Sequence, residues 1–323
     1  MRQVVCHSFA PLSALVVEDA PDLEPGDGQV VVDVRAAGAN FVDALLVQGQ
    51  YQLKPPLPFT PGMEVAGVVS SVGGDVTSVA VGDRVLATSF VGGFASQVRV
   101  PAGNAIPIPA TLSDGQAATL VQSYATMLFA LTRRTSVAPG EWVAVLGAGG
   151  GIGLATVDVA KALGARVVAC ASSESKLAAA SAAGADAVVD YSTGDLKAEI
   201  RAATGGGADV LVDPVGGPLA ESALRALGWN GRYVVIGFAA GDIPRLPLNQ
   251  VLLNNRTIVG VDWGAWTFRD AEGNRALIAE LISLVADGRL RPVEPTTYPL
   301  DRAAEALADL QERRVAGKVA IVP

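Results

Sequence analysis

The chain has 323 residues, half of them hydrophobic and only 17% charged, with 36 glycines and 19 prolines. Its length suggests about two domains with ample chain for buried cores, and its composition excludes a disordered protein. A net charge of −8, with no basic run longer than Arg133–Arg134 or Arg313–Arg314, argues against generic nucleic-acid binding.

From residue 1 to about 120 the pattern is β-rich. Arg2 and the short apolar stretch before His7 and Ser8 argue against a signal peptide. Cys6 and His7 are adjacent at the start of a strand, so their side chains point to opposite faces. Val30–Val34, Val65–Val72, Arg84–Leu86 and Ala95–Val100 read as short strands separated by Pro-Gly, Gly-Gly and Gly-Asp turns. Helix is expected from Asp114 through Leu131, with Ser113 as N-cap and Gln116 completing a capping box. Gln116, Gln122, Ser123, Tyr124 and Thr126 interrupt the uncharged run Gly115–Thr132, which reads as a buried helix and not as a membrane span.

From Trp142 to about Val261 strands and helices alternate. The strands are Trp142–Leu146, Arg166–Ala171, Ala187–Asp190, Val210–Asp213, Arg232–Gly237 and Thr257–Val261. Between them lie helices at about Ile152–Leu163, Glu174–Ala183, Gly194–Ala203 and Pro218–Leu227. Repeated strand–helix units imply a parallel sheet with right-handed crossovers, here a doubly wound nucleotide-binding sheet of about six strands. Two further helices, Asn274–Asp287 and Leu300–Arg313, precede a last strand at Lys318–Val322 that is expected to return to the N-terminal domain.

The sharpest motif is Gly147-Ala-Gly-Gly150-Gly151-Ile152-Gly153, set between a buried strand and a helix. Glycines there allow a tight turn, and the helix N-terminus offers backbone N–H groups and a positive dipole end to a pyrophosphate. NAD-specific folds place an acidic residue at the end of the second strand. This chain reads Cys170-Ala171-Ser172-Ser173 there, followed by Lys176, which favours NADPH over NADH. With two cysteines, Cys6 and Cys170, and one histidine, the chain lacks the usual ligands of a structural or catalytic zinc, and no metal site is expected.

These residues resemble the quinone oxidoreductase (zeta-crystallin-like) branch of the zinc-independent medium-chain dehydrogenases/reductases. The resemblance runs from Val145 to Tyr191 and takes in Asp213-Pro-Val-Gly-Gly217, Gly231-Arg-Tyr-Val-Val-Ile-Gly237-Phe238 and Val261-Asp-Trp263-Gly264. Ala37-Gly-Ala-Asn40-Phe-Val-Asp43, Pro61-Gly-Met-Glu64-Val-Ala-Gly67 and Gly82-Asp-Arg84-Val85 carry it through the N-terminal part. The resemblance implies an α/β protein in which a Rossmann sheet, at 122–263, is inserted into a β-rich GroES-like catalytic domain made of 1–121 and 264–323. It assigns the glycine turn to Gly147, Gly150 and Gly153, the phosphate-binding lysine to Lys176 and the adenosine-side tyrosine to Tyr191. The nicotinamide side falls on Gly237, Phe238 and Ala239, on Trp263 and Gly264, and on Thr126, with Lys318 a weaker candidate. Asn40 stands where zinc-containing relatives have a cysteine ligand, and Met63 stands where they have a histidine.

Without a Lewis acid, ordinary alcohol dehydrogenation is disfavoured. The expected activity is NADPH-dependent reduction of a quinone or an α,β-unsaturated carbonyl by hydride transfer. Asn40 is the candidate donor to the acceptor oxygen and Tyr51 the candidate proton donor. Asp43 is expected to be structural, and Gln122, Tyr124 and Trp263 to shape the substrate cavity. An enoyl-thioester reductase and a non-catalytic NADPH-binding protein are the alternatives. Relatives commonly pair through sheet edges, so a homodimer across Arg256–Val261 is expected, in a soluble, cytoplasmic protein with no membrane partner.

Overall fold

The computed structural model describes residues 1–323 and divides the chain into two compact units, Met1–Gln122 with Val293–Pro323, and Ser123–Pro292.

The first unit begins with a two-stranded antiparallel ribbon, β1 (Arg2–Val5) and β2 (Val16–Asp19), and continues into a seven-stranded sheet. Its centre is β3 (Gln29–Ala39), an eleven-residue strand that contains the expected Val30–Val34 and runs beyond it. Helix α1 (Phe41–Val47) follows at once; it was not expected, although Asn40 and Asp43 stand at the spacing of its capping box. β4 (Glu64–Val72), β5 (Arg84–Thr88), β6 (Gln97–Pro101) and β7 (Ala105–Pro107) complete the N-terminal strands. Val30, Val32, Val65, Val69, Val85 and Val98 form the apolar interior of this unit.

Helix α2 (Asp114–Ala118) starts as expected: the Ser113 hydroxyl accepts the Gln116 amide at 3.0 Å, and Gln116 Oε1 accepts the Ser113 amide at 3.0 Å. The continuous helix expected to Leu131 does not form. The Thr119 hydroxyl bonds back to the Gly115 carbonyl at 3.0 Å, the backbone leaves α geometry, and wide π turns occupy Val121–Ala125 and Ala130–Arg134. Between them lies a single α turn, α3 (Thr126–Phe129).

The second unit holds a six-stranded, wholly parallel sheet. Its strands are β8 (Trp142–Leu146), β9 (Arg166–Ala171), β10 (Ala187–Asp190), β11 (Ala208–Asp213), β12 (Leu227–Val235) and β13 (Thr257–Gly260). Their order is β10-β9-β8-β11-β12-β13, the doubly wound arrangement whose order reverses beside β8. The crossovers are α4 (Gly151–Ala162), α5 (Glu174–Ala182), α6 (Leu196–Thr204) and α7 (Leu219–Ala226). β8 and β9 are buried along nearly their whole length, which is why they read as unbroken apolar runs. Helices α8 (Leu248–Leu252), α9 (Trp263–Arg269) and α10 (Ala271–Ala286) close the unit.

The second boundary falls at Val293 and not at 264. Residues 263–286 stay with the parallel sheet through their own contacts: Trp263 Nε1 donates to Asn274 Oδ1 at 3.1 Å, the Trp266 ring stacks on Phe129 at 4.5 Å, and Glu280 pairs with Arg133 at 2.6 Å.

The chain end does return to the first unit. β14 (Thr296–Pro299) and β15 (Val319–Val322) join its sheet, β15 lying antiparallel to β3, with α11 (Ala303–Gln311) between them.

Candidate functional site

In the second unit the turn after β8 is built by glycine. Gly147 takes φ +60, the left-handed region. A Cβ at Gly153 would collide with the Gly147 carbonyl oxygen and stand 2.5 Å from the Ala148 Cα, so only glycine lets α4 approach the strand so closely. Gly150 is the N-cap and has no side chain to occupy the helix end. The first N–H groups of α4, from Gly151, Ile152 and Gly153, have no intrahelical carbonyl to meet. The Lys176 side chain lies over this turn, its Cγ 2.7 Å from where a Gly149 Cβ would stand. The arrangement fits a dinucleotide pyrophosphate.

The end of β9 presents Ala171, buried, and then Ser172, exposed. Ser173 is the N-cap of α5, and its hydroxyl lies 3.3 Å from that of Ser175. The first carboxylate in chain order is Glu174, exposed in the opening turn of α5. Asp190, the cross-strand partner of Ala171, turns its carboxylate onto the amide and hydroxyl of Ser192, which lower its pKa. Tyr191 is half-buried, and its amide donates to the Ala171 carbonyl at 3.1 Å.

Residues beyond β12 form a second cluster. Gly237 and Phe238 line an open depression of about 620 Å³ together with Phe129, Arg134, Trp266 and Arg269. Asp213, which the sequence reading left without a role, fixes the backbone behind it. Its buried carboxylate accepts the amides of Val215 at 2.7 Å and Gly216 at 2.8 Å and the hydroxyl of Tyr233. The Ala239 amide in turn donates to the Pro214 carbonyl at 3.1 Å. Trp263 differs from expectation: its indole is buried against Asn274, so the position that faces outward is Gly264. Tyr124 belongs to the same unit. It is buried, its hydroxyl donates to Asp158 at 3.1 Å, and burial beside that carboxylate pushes its pKa up. Thr126 is half-buried at the start of α3.

The first unit gathers a different set of groups, and strand register does the gathering. β15 pairs with β3 through Val319↔Ala39, so Lys318 comes opposite Asn40, while Gly38↔Glu64 brings the start of β4 alongside. Lys318 Nζ donates to Asn40 Oδ1 at 2.8 Å, and Asn40 Nδ2 donates to Glu64 Oε1 at 2.9 Å. Glu64 Oε2 accepts the Gln122 amide at 2.9 Å. Asp43 Oδ2 accepts the Asn40 amide at 2.8 Å and is wholly buried; burial pushes its carboxyl up to about 7 against the pull of the Asn40 N–H. Lys318 is thus buried among the side chains of this unit. Desolvation lowers its pKa, and the carboxylates of Glu64 and Asp43 oppose that shift. Tyr51 follows the turn at Gly49; it is half-buried against the apolar core of this unit, with its amide on the Leu45 carbonyl. The role of Glu64 was missed. Its signal was a carboxylate opening an otherwise apolar strand. No group of three or more His, Cys, Asp or Glu side chains is arranged to hold a metal ion.

Two family models match the chain: "Alcohol dehydrogenase GroES-like domain" over residues 26–110 and "Zinc-binding dehydrogenase" over 151–280. Quinone oxidoreductase-like protein 2 of Rattus norvegicus is 38% identical over 98% of this chain and 91% of its own. The synaptic vesicle membrane protein VAT-1 homolog of Homo sapiens is 33% identical over 100% of this chain and 86% of its own. The Escherichia coli quinone oxidoreductase, solved in complex with NADPH, superposes with a TM-score of 0.90 at 29% identity over 100% of both chains. A dinucleotide-type glycine turn on a parallel sheet, with a GroES-like sheet formed from both chain ends, defines an oxidoreductase scaffold. The chain belongs to the medium-chain dehydrogenase/reductase family, in its quinone oxidoreductase type.

Proposed function

We propose that this protein is an NADPH-dependent oxidoreductase that reduces quinones or α,β-unsaturated carbonyls without zinc. The observation that carries this reading is the end of β9: Ser172 is exposed, no carboxylate precedes Glu174, and Lys176 lies against the glycine turn. That chemistry suits a 2′-phosphate, which a carboxylate at this place would repel. NADPH bound to the Escherichia coli relative supports the same choice.

When bound, NADPH supplies a hydride to the acceptor carbon, and water or an acid supplies a proton to the acceptor oxygen. The amides of Gly151, Ile152 and Gly153 hold the pyrophosphate, Lys176 and Ser172 the 2′-phosphate, and Tyr191 the adenosine side. Gly237, Phe238, Ala239, Gly264 and Thr126 orient the nicotinamide side. Asn40 polarises the acceptor oxygen with an amide N–H, which needs no metal. Tyr51 is the proton donor. The protein acts as a homodimer formed by antiparallel pairing of β13 with its counterpart. β13 is the sheet edge, and Ile258 on it is 38% exposed near exposed Leu252 and Leu253.

The test follows NADPH consumption with a benzoquinone, phenanthrenequinone, a simple enone and crotonyl-CoA, with NADH in parallel. Turnover of the quinones or the enone, faster with NADPH, is the expected result. Turnover of the thioester alone, or tight NADPH binding with no turnover of any acceptor, would overturn it.

A further inference from the structure

Lys318 and Glu64 carry opposite charges with side chains only 5% and 1% exposed, and their closest atoms are 3.7 Å apart. Taking such a pair out of water is costly, and apolar residues of the same volume often serve stability as well or better. The pair is therefore poorly explained by stability alone. What the two groups share is Asn40.

An ammonium can only donate and an ionised carboxylate can only accept. With Lys318 on one side at 2.8 Å and Glu64 on the other at 2.9 Å, the Asn40 amide has one permitted orientation, oxygen toward Lys318 and nitrogen toward Glu64. The flip that leaves an ordinary asparagine ambiguous would here set N–H against ammonium and C=O against carboxylate. Each holder is itself held. The Gln122 amide takes the second oxygen of Glu64, and the backbone beside Glu64 is shaped to admit it: a Cβ at Gly38 would stand 2.7 Å from Glu64 Oε1. Asn40 in turn is fixed through its backbone amide by Asp43 at 2.8 Å. Once one N–H points to Glu64, the direction of the other is set by the planarity of the amide.

We propose that Lys318 and Glu64 are positioning residues that lock the Asn40 amide so that its second N–H is presented to the oxygen of the quinone or enone acceptor. The inference rests on the reductase reading above and adds to it two residues that touch neither cofactor nor acceptor. Asn40 donates a hydrogen bond and gives up no proton; the hydride comes from NADPH and the proton from Tyr51, as in the reading above. A donor held in place before the acceptor arrives loses little in ordering, which is how such groups accelerate a reaction.

The test uses the full chain with NADPH bound and the variants K318M, E64Q, N40A and N40A/K318M. The Asn40 side-chain amide pair is identified by NMR as the pair lost in N40A. In K318M that pair should shift and exchange faster with water, kcat with the preferred quinone should fall about 10-fold or more, and the NADPH Kd should change less than about twofold. N40A and N40A/K318M should turn over equally, because a lock on an absent amide has nothing to hold. If K318M does not fold, E64Q gives the same readouts, since it removes the charge that selects the amide orientation. An unchanged amide pair, a fall in Tm with kcat retained, multiplying losses in the double variant, or an NADPH Kd raised about 10-fold with kcat retained would each overturn the proposal. If the wild type turns over no acceptor, the reductase reading fails on its own, and the amide signal still reports whether the lock exists.

Discussion

Asp43 shows how burial sets charge at a single residue. Its folded-state pKa is raised to about 7, chiefly by desolvation, with the nearby charge of Glu64 adding to it. Between about pH 4 and about pH 7 the folded state therefore holds a proton that the unfolded chain has released, and stability falls as pH rises through this window. D43N keeps an oxygen for the Asn40 amide and removes the titration. Urea unfolding of wild type and variant at both ends of the window should show the wild type losing ground to D43N as pH rises. A second residue-scale prediction concerns Lys176. K176M should weaken NADPH binding by roughly 10-fold, consistent with loss of one charge-assisted phosphate contact of about 1.5 kcal/mol or more. NADH binding, read by the same fluorescence titration, should change little, because NADH carries no 2′-phosphate. Lys176 and the glycines were singled out by residue type and local order, and Asn40 by the family resemblance. The partners of Asn40 could not be read from the chain, because Glu64 lies 24 and Lys318 lies 278 residues away from it.

At the scale of elements, the strand–turn–helix from β8 to α4 is both scaffold and site. G153A would force a methyl group onto the Gly147 carbonyl and push α4 off the strand. The expected outcome is loss of measurable NADPH binding together with a lower Tm, and a normal NADPH Kd in G153A would refute the close-approach argument. The α2 cap is a simpler case. S113A removes the acceptor for the Gln116 amide and should cost about 1 kcal/mol in denaturant unfolding without altering the NADPH Kd. The strands of the second unit were legible as apolar runs, and the helices α4 to α7 and α10 because each is at least eight residues long; α8 and α9, of five and seven residues, were not expected. The break after Ala118 was not legible: there the Gln122 amide donates to Glu64 and not along the helix, a long-range contact that an apolar pattern does not encode. Helix α1 escaped for a related reason: seven residues are too few to show a helical period beside a long strand.

For the whole molecule, β13 leaves one edge of the parallel sheet unpaired, and Ile258, Leu252 and Leu253 are exposed apolar residues close to it in sequence. Light scattering should give a dimer mass for the wild type and a monomer mass for I258K, because a lysine on an edge strand opposes pairing with a second copy. A monomeric wild type would remove the edge-pairing proposal. No helix of the molecule is long and apolar enough to cross a membrane. The division at Val293 instead of 264 also belongs to this scale: α9 and α10 carry no local mark of which sheet they join, and only the contacts of Trp263, Trp266 and Glu280 assign them.

By itself the sequence determined the parallel sheet and the glycine turn, because these rest on hydrophobic period and on glycine, both local properties. The tertiary structure decided which charges are buried together. Antiparallel pairing of β15 with β3 places Lys318 opposite Asn40, and pairing of β3 with β4 places Glu64 beside Gly38. Register is a relation between distant segments, and nothing in either segment alone states it.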